Sequence, residues 1–485
     1  MERGFLIENI QMFKGFVENP LARSILRGVS GFCARDGKSR LEVALELYSG
    51  VRETSDACLR CRFAAKLLNP ILEAGAKAFN VSGDQMRRSF RDPYWRRGLA
   101  SVVKGLAYFG VRKPFVPGAP FQVVWEVTGV CNLKCRHCSA SAGSTIGDLS
   151  TGEALDAVEK LAEMGVTILA FSGGEPLLRR DIFQLARAAA DHGMYVAMAT
   201  NGTLITDPVA DKLKETGVEY LQISLDGASP ETHDAFRGVP GSFQRTIEGI
   251  RNAVERSFFV NVSTTVTRLN YREVPGIIEL CEGLGVDWFM FYNFIPTGRG
   301  RDIVDLDLTP REREELLKTL YERNKGSSMK LLSTAPQFAR VALQVEECRE
   351  AAMVPTHFYN LETKGRIEQL AEFIGGCGAG RFYFAMKPNG DLQPCVFFPL
   401  KLGNIKETDL DEMWRKNKVL LELRDKDLLQ GHCSECPYRY NCGGCRARAY
   451  AYFGDHLAPD PGCINNEEAY LKALESVKEI TALQA

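Results

Sequence analysis

The sequence predicts an α/β protein: a partial parallel (β/α)6 barrel, with a helical domain before it and a cysteine-rich domain after it. Three observations predict this. Between residues 121 and 300, short runs rich in β-branched and aromatic residues alternate with amphipathic segments of helical period, the pattern of a parallel sheet with helices outside. Residues 1–117 carry apolar residues at helical spacing and no clear strand. Residues 377–465 gather cysteines into short, turn-rich segments, where metal substitutes for an apolar core.

In chain order, Phe5, Ile7, Ile10, Phe13 and Phe16, then Leu41, Val43, Ala44, Leu47 and Tyr48, mark helices in the first domain, 1–117. Pro114, Pro117, Gly118 and Pro120 punctuate a linker. The barrel region, 118–300, reads as strands at 121–127, 166–173, 194–200, 220–227, 260–266 and 287–295. Helices at 151–164, 181–192, 208–216, 243–256 and 274–284 separate them. Residues 301–376 look helical and bridging. Residues 377–485 form the last domain, closed by a helix at about 466–482.

The net charge of −1 gives no bulk attraction to nucleic acid, and no nucleic-acid partner is expected. No apolar run is long enough to span a membrane, and the N-terminus lacks the pattern of a signal peptide, so the protein is expected in the cytoplasm. In that reducing compartment 15 cysteines are metal ligands rather than disulfides.

The first predicted strand runs into TGVCNLKCRHC, which places Cys131, Cys135 and Cys138 in a C-x3-C-x2-C pattern. Three thiolates can hold three irons of a cubane and leave the fourth open to a ligand. Structural zinc closes with four ligands, and no fourth follows at a typical spacing. The motif sits past the C-terminal end of a strand, where parallel α/β proteins place their chemistry.

CNLKCRHC closely resembles the signature of the radical S-adenosylmethionine (SAM) superfamily. The resemblance implies a 4Fe–4S cluster whose open iron chelates SAM, and a 5′-deoxyadenosyl radical that removes hydrogen from an unactivated carbon. It also implies a reduced electron donor such as a flavodoxin or ferredoxin. Later segments resemble the family in order and spacing. SGGEP supplies Gly173, Gly174, Glu175 and Pro176, with Glu175 implied to meet the SAM amino group. TNG supplies Asn201; Ser224 and Asp226 in ISLDG resemble ribose and carboxylate contacts. Arg237 in HDAFRG could pair with a carboxylate, and FIPTGRG (294–300) looks like the adenine-side loop.

The C-terminal cysteines resemble the SPASM domain of the same superfamily, which carries two auxiliary clusters. By position, Cys433, Cys436, Cys442 and Cys463 would hold one cluster, and Cys377, Cys395 and Cys445 the other, its fourth ligand unidentified. The sequence CGGC is one residue shorter than the usual family spacing, which leaves the Cys442/Cys445 division open. The tail CGGCRARAYAYFGDHLAPDPGC looks like that of iron-coproporphyrin decarboxylases and related haem-pathway members, and is similar to archaeal lipid-modifying relatives.

Two features of residues 1–117 lie outside that plan. Cys33, Cys58 and Cys61, the last two spaced C-x2-C, could bind a further iron or zinc, or be buried thiols. Residues 83–115 carry Arg87, Arg88, Arg91, Arg96, Arg97, Lys104, Arg112 and Lys113 among Tyr94, Trp95, Tyr108 and Phe109. Such a segment suits an anionic membrane surface, or else is a basic face packed on the barrel. The membrane reading makes the leading expectation a peripheral enzyme that forms or alters a C–C bond in an archaeal-type membrane lipid. The alternatives are oxidative decarboxylation of an iron tetrapyrrole, and modification of a ribosomal peptide.

Overall fold

In the computed structural model of the chain, the described residues are 18–78, 82–143, 147–345 and 375–484. The expected helix around Phe5–Phe16 lies outside them, as do residues 346–374 of the bridging region.

The centre is a ten-stranded sheet. Its parallel strands are β3 (Gln122–Glu126), β4 (Ile168–Ser172), β5 (Tyr195–Thr200), β6 (Val218–Ser224), β7 (Phe259–Val266), β8 (Trp288–Asn293) and β9 (Lys330–Ser333). On the other side of β3 lies β10 (Tyr383–Met386), also parallel, followed by antiparallel β11 (Asp391–Gln393) and β12 (Gly403–Asn404). All six predicted strands and the five helices between them form, within a few residues at each end.

Alternation along each strand sorts the side chains. Val123 and Trp125 of β3, Leu169 and Phe171 of β4, and Phe289 and Phe291 of β8 enter the core beneath the helices. Their neighbours Val124, Glu126, Ala170, Met290 and Tyr292 face the concave side and line a cavity. The helices close against the outer face by ordinary end signals: Thr151–Met164 starts at a capping box formed by Ser150 and Glu153.

One expectation needs correction. The region 301–376 is not purely a helical bridge. It adds β9, flanked by helices Pro310–Asn324 and Gln337–Val345, so the sheet continues past six strands. In the cysteine-rich domain Tyr383–Met386 and Asp391–Gln393 form a hairpin that continues the barrel sheet: Tyr383–Met386 pairs residue for residue with Gln122–Trp125. The last domain is thereby built onto the barrel through shared backbone hydrogen bonds. Trp414, fully buried, reinforces the join by donating its indole N–H to Pro117 O at 2.9 Å.

The N-terminal unit is helical as expected, with helices Pro20–Ser30, Arg40–Ser49, Leu59–Ala78, Gly83–Ser89 and Pro93–Phe109. It also contains an unpredicted hairpin, β1 (Phe32–Cys33) with β2 (Lys38–Ser39). Only part of the basic segment is exposed. Arg97 is buried and donates to Ala162 O at 2.6 Å, Val166 O at 2.9 Å and His192 O at 3.2 Å, at the C-terminal ends of two barrel helices. Unsatisfied carbonyls at helix ends are natural partners for a guanidinium. Arg96 is also buried, on Phe90 O and Arg91 O, both at 2.7 Å. Lys104 reaches Asp411 at 2.9 Å. Arg97 and Lys104 dock the N-terminal unit onto the barrel and the last domain, whereas Arg87, Arg88, Arg91, Arg112 and Lys113 stay exposed, so the membrane argument loses part of its cations. No helix among the described residues is long and apolar enough to cross a membrane.

Candidate active site

The loop after β3 carries Cys131, Cys135 and Cys138, and all three line one pocket of about 180 Å³ at the C-terminal edge of the sheet. Each sulfur has a nitrogen donor aimed at it: Leu133 N to Cys131 Sγ at 3.4 Å, Arg237 Nη1 to Cys135 Sγ at 3.7 Å, and Ala142 N to Cys138 Sγ at 3.4 Å. Donors of this kind stabilise sulfur that carries negative charge, as a cluster ligand does. Burial pushes the Cys131 thiol up to about 11, so at neutral pH the free thiol keeps its proton and iron binding releases it. Three thiols, a matching set of donors and open space beside them fit a cluster with one free iron.

The neighbouring loops hold this loop by backbone. Gly174 N donates to Thr128 O and Glu175 N to Val130 O, both at 2.8 Å. The approach is so close that a Cβ on Gly174 would sit 2.2 Å from Val130 O, and one on Gly173 2.6 Å from Thr128 O. On the opposite side, Lys134 N and Arg136 N donate to Arg237 O and Phe236 O at 3.0 and 3.1 Å.

Of the residues expected around SAM, Gly173, Gly174, Asn201, Ser224 and Arg237 line the pocket, whereas Glu175, Pro176 and Asp226 do not. Glu175 is fully buried. Its carboxylate accepts from Thr200 Oγ1 at 2.8 Å, Asn201 N at 2.9 Å and Leu177 N at 3.2 Å. It therefore braces the pocket wall and does not present oxygen to the pocket. Asp226, also fully buried, pairs with Arg237 at 2.6 Å and lies 3.5 Å from His137 Nε2. The carboxylate that Arg237 meets in this structure is the protein's own.

Two contributors escaped the sequence reading. Asn132, inside the cysteine motif, accepts from Asn201 Nδ2 at 2.8 Å and donates to Thr203 Oγ1 at 2.9 Å. Arg299 donates to Cys135 O at 3.0 Å and Ala142 O at 2.5 Å, pinning both ends of the cysteine segment. Arg299 lies in FIPTGRG, so the segment was legible and the residue's task was not.

The pocket opens into a second cavity of about 270 Å³ over the concave face of the sheet. Ser139, Gly173, Gln222, Tyr292 and Phe397 border both. Aromatic residues form part of its wall, including Tyr220, Trp288, Tyr292 and Tyr383. At its far side stand Cys377, Cys395 and Cys445. Tyr383 donates its hydroxyl to Cys395 Sγ at 2.8 Å. Burial, chiefly, and the nearby Asp460 and Cys377 raise the Cys445 thiol, while burial with Cys463 and Cys433 nearby raises Cys442.

The tail's arginines work inward. Arg448, fully buried, donates to Asn293 Oδ1 and Phe294 O at the end of β8. Arg446 holds His456 O at 2.9 Å and Ala458 O at 2.8 Å. Asp460 accepts from Cys445 N at 2.6 Å. The tail thus folds the cysteine loops against the barrel.

Comparison with known proteins agrees with this architecture. The family model of the radical SAM superfamily matches residues 125–281, and that of the SPASM iron-sulfur cluster-binding domain matches 377–437. The chain is 40% identical over 350 residues to an AdoMet-dependent heme synthase of Methanosarcina barkeri, covering 71% of this chain and 97% of that protein. It is 32% identical over 364 residues to a pre-heme d1 synthase of Dinoroseobacter shibae, covering 73% and 87%. It is 32% identical over 355 residues to the mycofactocin maturase MftC of Mycobacterium tuberculosis, covering 71% and 83%. In fold it is similar to SuiB of Streptococcus suis bound to its precursor peptide SuiA, with a TM-score of 0.60, 17% identity, and coverage of 87% and 91%. The chain belongs to the radical SAM superfamily and is an enzyme. Within that superfamily it carries the SPASM extension, so its cofactors are SAM and 4Fe–4S clusters, and it needs a reductant. The relatives just named are haem-pathway and peptide-maturing proteins by name, not lipid-modifying ones.

Proposed function

We propose that the chain oxidatively decarboxylates a propionate side chain of an iron tetrapyrrole, with the three cysteines Cys131, Cys135 and Cys138 holding the radical-generating cluster. The observation that carries this reading is the 40% identity to a heme synthase over 97% of that protein's length. The geometry supports it: two adjoining cavities with shared lining lead from the triplet to Cys377, Cys395 and Cys445, and the aromatic residues in the second suit a flat macrocycle. When bound, the cluster and SAM supply a 5′-deoxyadenosyl radical that takes a hydrogen atom from an unactivated carbon.

The chain's residues confine that event. Gly173, Gly174, Asn201 and Ser224 edge the space beside the triplet and leave room for SAM. Glu175, Asp226 and Arg237 are positioning residues that fix the surrounding loops. The propionate loses one hydrogen atom, carbon dioxide and one electron, and becomes a vinyl group. That electron leaves on the side of the cavity where Cys377, Cys395 and Cys445 stand, with Cys433, Cys436, Cys442 and Cys463 beyond them as the second auxiliary set.

The domain division follows the chemistry: 1–117 as a docking unit, 118–300 as the catalytic barrel, 301–376 as a bridge that adds β9, and 377–485 as the auxiliary-cluster domain. The tetrapyrrole reading takes the place of the lipid one because the relatives named above are haem-pathway and peptide-maturing proteins, and because Arg97 and Lys104 are spent on docking. The test is an anaerobic incubation of reduced enzyme with SAM and iron coproporphyrin III, followed by mass spectrometry. The expected result is 5′-deoxyadenosine formed together with vinyl products. Production of 5′-deoxyadenosine with an unchanged tetrapyrrole would overturn the substrate assignment and leave the radical assignment standing.

A further inference from the structure

We propose that the N-terminal unit holds one structural zinc ion, bound by Cys33, Asp36, Cys58 and Cys61. Their donor atoms all lie within 4.8 Å of one another, and among the described residues no other group of three or more Cys, His, Asp or Glu donors is gathered so closely. Cys33 Sγ is 3.6 Å from Cys58 Sγ and 3.3 Å from Asp36 Oδ2.

These spacings select the kind of metal centre. Four ligands of a tetrahedral zinc ion, with sulfur about 2.3 Å from the metal, sit about 3.8 Å from one another. Thiolates on different irons of a cubane stand roughly 6 Å apart, too wide for this group. A disulfide needs sulfurs about 2.05 Å apart, so Cys33 and Cys58 are not bonded partners. A single ion with three sulfurs and one oxygen is the arrangement that fits.

The local fold is built to present those atoms. Cys33 ends β1, and Asp36 and Gly37 form the tight turn into β2, with Asp36 N and Gly37 N both donating to Cys33 O at 3.1 and 2.8 Å. Gly37 has φ +66°, which a side-chain-bearing residue adopts poorly. Cys58 precedes helix Leu59–Ala78 and Cys61 lies in its first turn, with Cys61 N donating to Cys58 Sγ at 3.4 Å. Each half therefore offers two ligands with two residues between them. Arg52 takes the other carboxylate oxygen of Asp36 at 3.2 Å, which leaves Oδ2 directed at the sulfurs.

The three cysteines are buried, Cys61 completely, in a small cluster with Val43 and Ala57. A closed, four-ligand site without an open position is structural rather than catalytic. It would tie the hairpin to the long helix in a unit whose own apolar cores are small. The site is independent of the substrate proposed above and lies on a domain that neither family model covers.

The test is metal analysis of anaerobically purified, cluster-loaded enzyme, with X-ray absorption at the zinc edge. About one zinc per chain is expected, with three sulfurs at about 2.3 Å and one oxygen at about 2.0 Å. In Cys58→Ser/Cys61→Ser, zinc falls at least tenfold while iron per chain is unchanged. Wild-type protein without stoichiometric zinc, a four-sulfur zinc shell, or zinc that survives the double substitution would each overturn the proposal. Loss of iron in place of zinc would do the same. Should the double variant not fold, the absorption spectrum of the wild-type enzyme decides alone.

Discussion

Arg237 lies 2.6 Å from Asp226 and 3.7 Å from the sulfur of Cys135, so one buried guanidinium couples the end of β6 to the cysteine loop. Asp226 is fully buried, and its other oxygen accepts from Thr265 N at 2.8 Å. Removing one partner of such a pair strands the other charge away from water. Asp226→Asn is therefore expected to destabilise the protein by about 3–5 kcal/mol and to lower iron retention at the first cluster. Denaturant unfolding and iron analysis measure the two effects; an unfolding midpoint equal to that of wild type would contradict the pairing.

Glu175 gives a different expectation from the one its motif suggests. Its carboxylate accepts three hydrogen bonds from Thr200, Asn201 and Leu177 and does not line the pocket. In Glu175→Gln an amide N–H₂ must face a donor, at a cost of about 1–3 kcal/mol. The variant should therefore lose thermal stability as well as SAM affinity. Weakened SAM binding with an unaltered melting temperature would place Glu175 in direct contact with SAM instead.

The Arg97 contacts predict that the N-terminal unit is held by carbonyl capping. Arg97→Gln leaves the carbonyls of Ala162, Val166 and His192 without this partner and should cost about 3 kcal/mol. Protease accessibility of the junction near residue 117 should rise with it. No change in either measurement would return Arg97 to the list of free surface cations.

His233 supplies a pH dependence. It is fully buried, and its Nδ1 accepts from Asp226 N at 3.1 Å, which requires a neutral ring. Burial first, and then the Arg237 charge, lower its pKa from 6.5 to about 3. Below the unfolded value, the unfolded chain takes up a proton that the folded chain refuses until about pH 3. The stability from this group is complete above about pH 6.5 and declines as pH falls from there. His233→Asn, which keeps an acceptor but cannot titrate, should flatten the decline between about pH 7 and pH 5. Parallel curves for the two proteins would remove His233 as its source.

Much of this was readable from the chain, and what was not has physical causes. The strands of residues 121–300 announce themselves by runs such as Val123–Val127 and Ile168–Phe171 set between amphipathic helices. The triplet Cys131, Cys135 and Cys138 is local, so spacing alone exposes it. Pairing across long separations is silent in sequence: Tyr383–Met386 joins β3 from more than 250 residues away. The four residues of β9 are too few to show a period. Charge is equally ambiguous, because Arg97 on a membrane and Arg97 on helix-end carbonyls read alike. Asp36 stood three residues past Cys33 in the spacing of a ligand pair, but aspartates in turns are common and only the fold brings it to Cys58 and Cys61.

The central claim is that radical chemistry begins at Cys131, Cys135 and Cys138 while the C-terminal cysteines hold further clusters. Its most direct test is iron content and 5′-deoxyadenosine production, measured together in wild type and in the triple Cys→Ala variant. Three cubanes give about 12 iron atoms per chain in wild type, and the variant should keep about 8 while producing no 5′-deoxyadenosine from SAM. Undiminished 5′-deoxyadenosine from the variant would contradict the account.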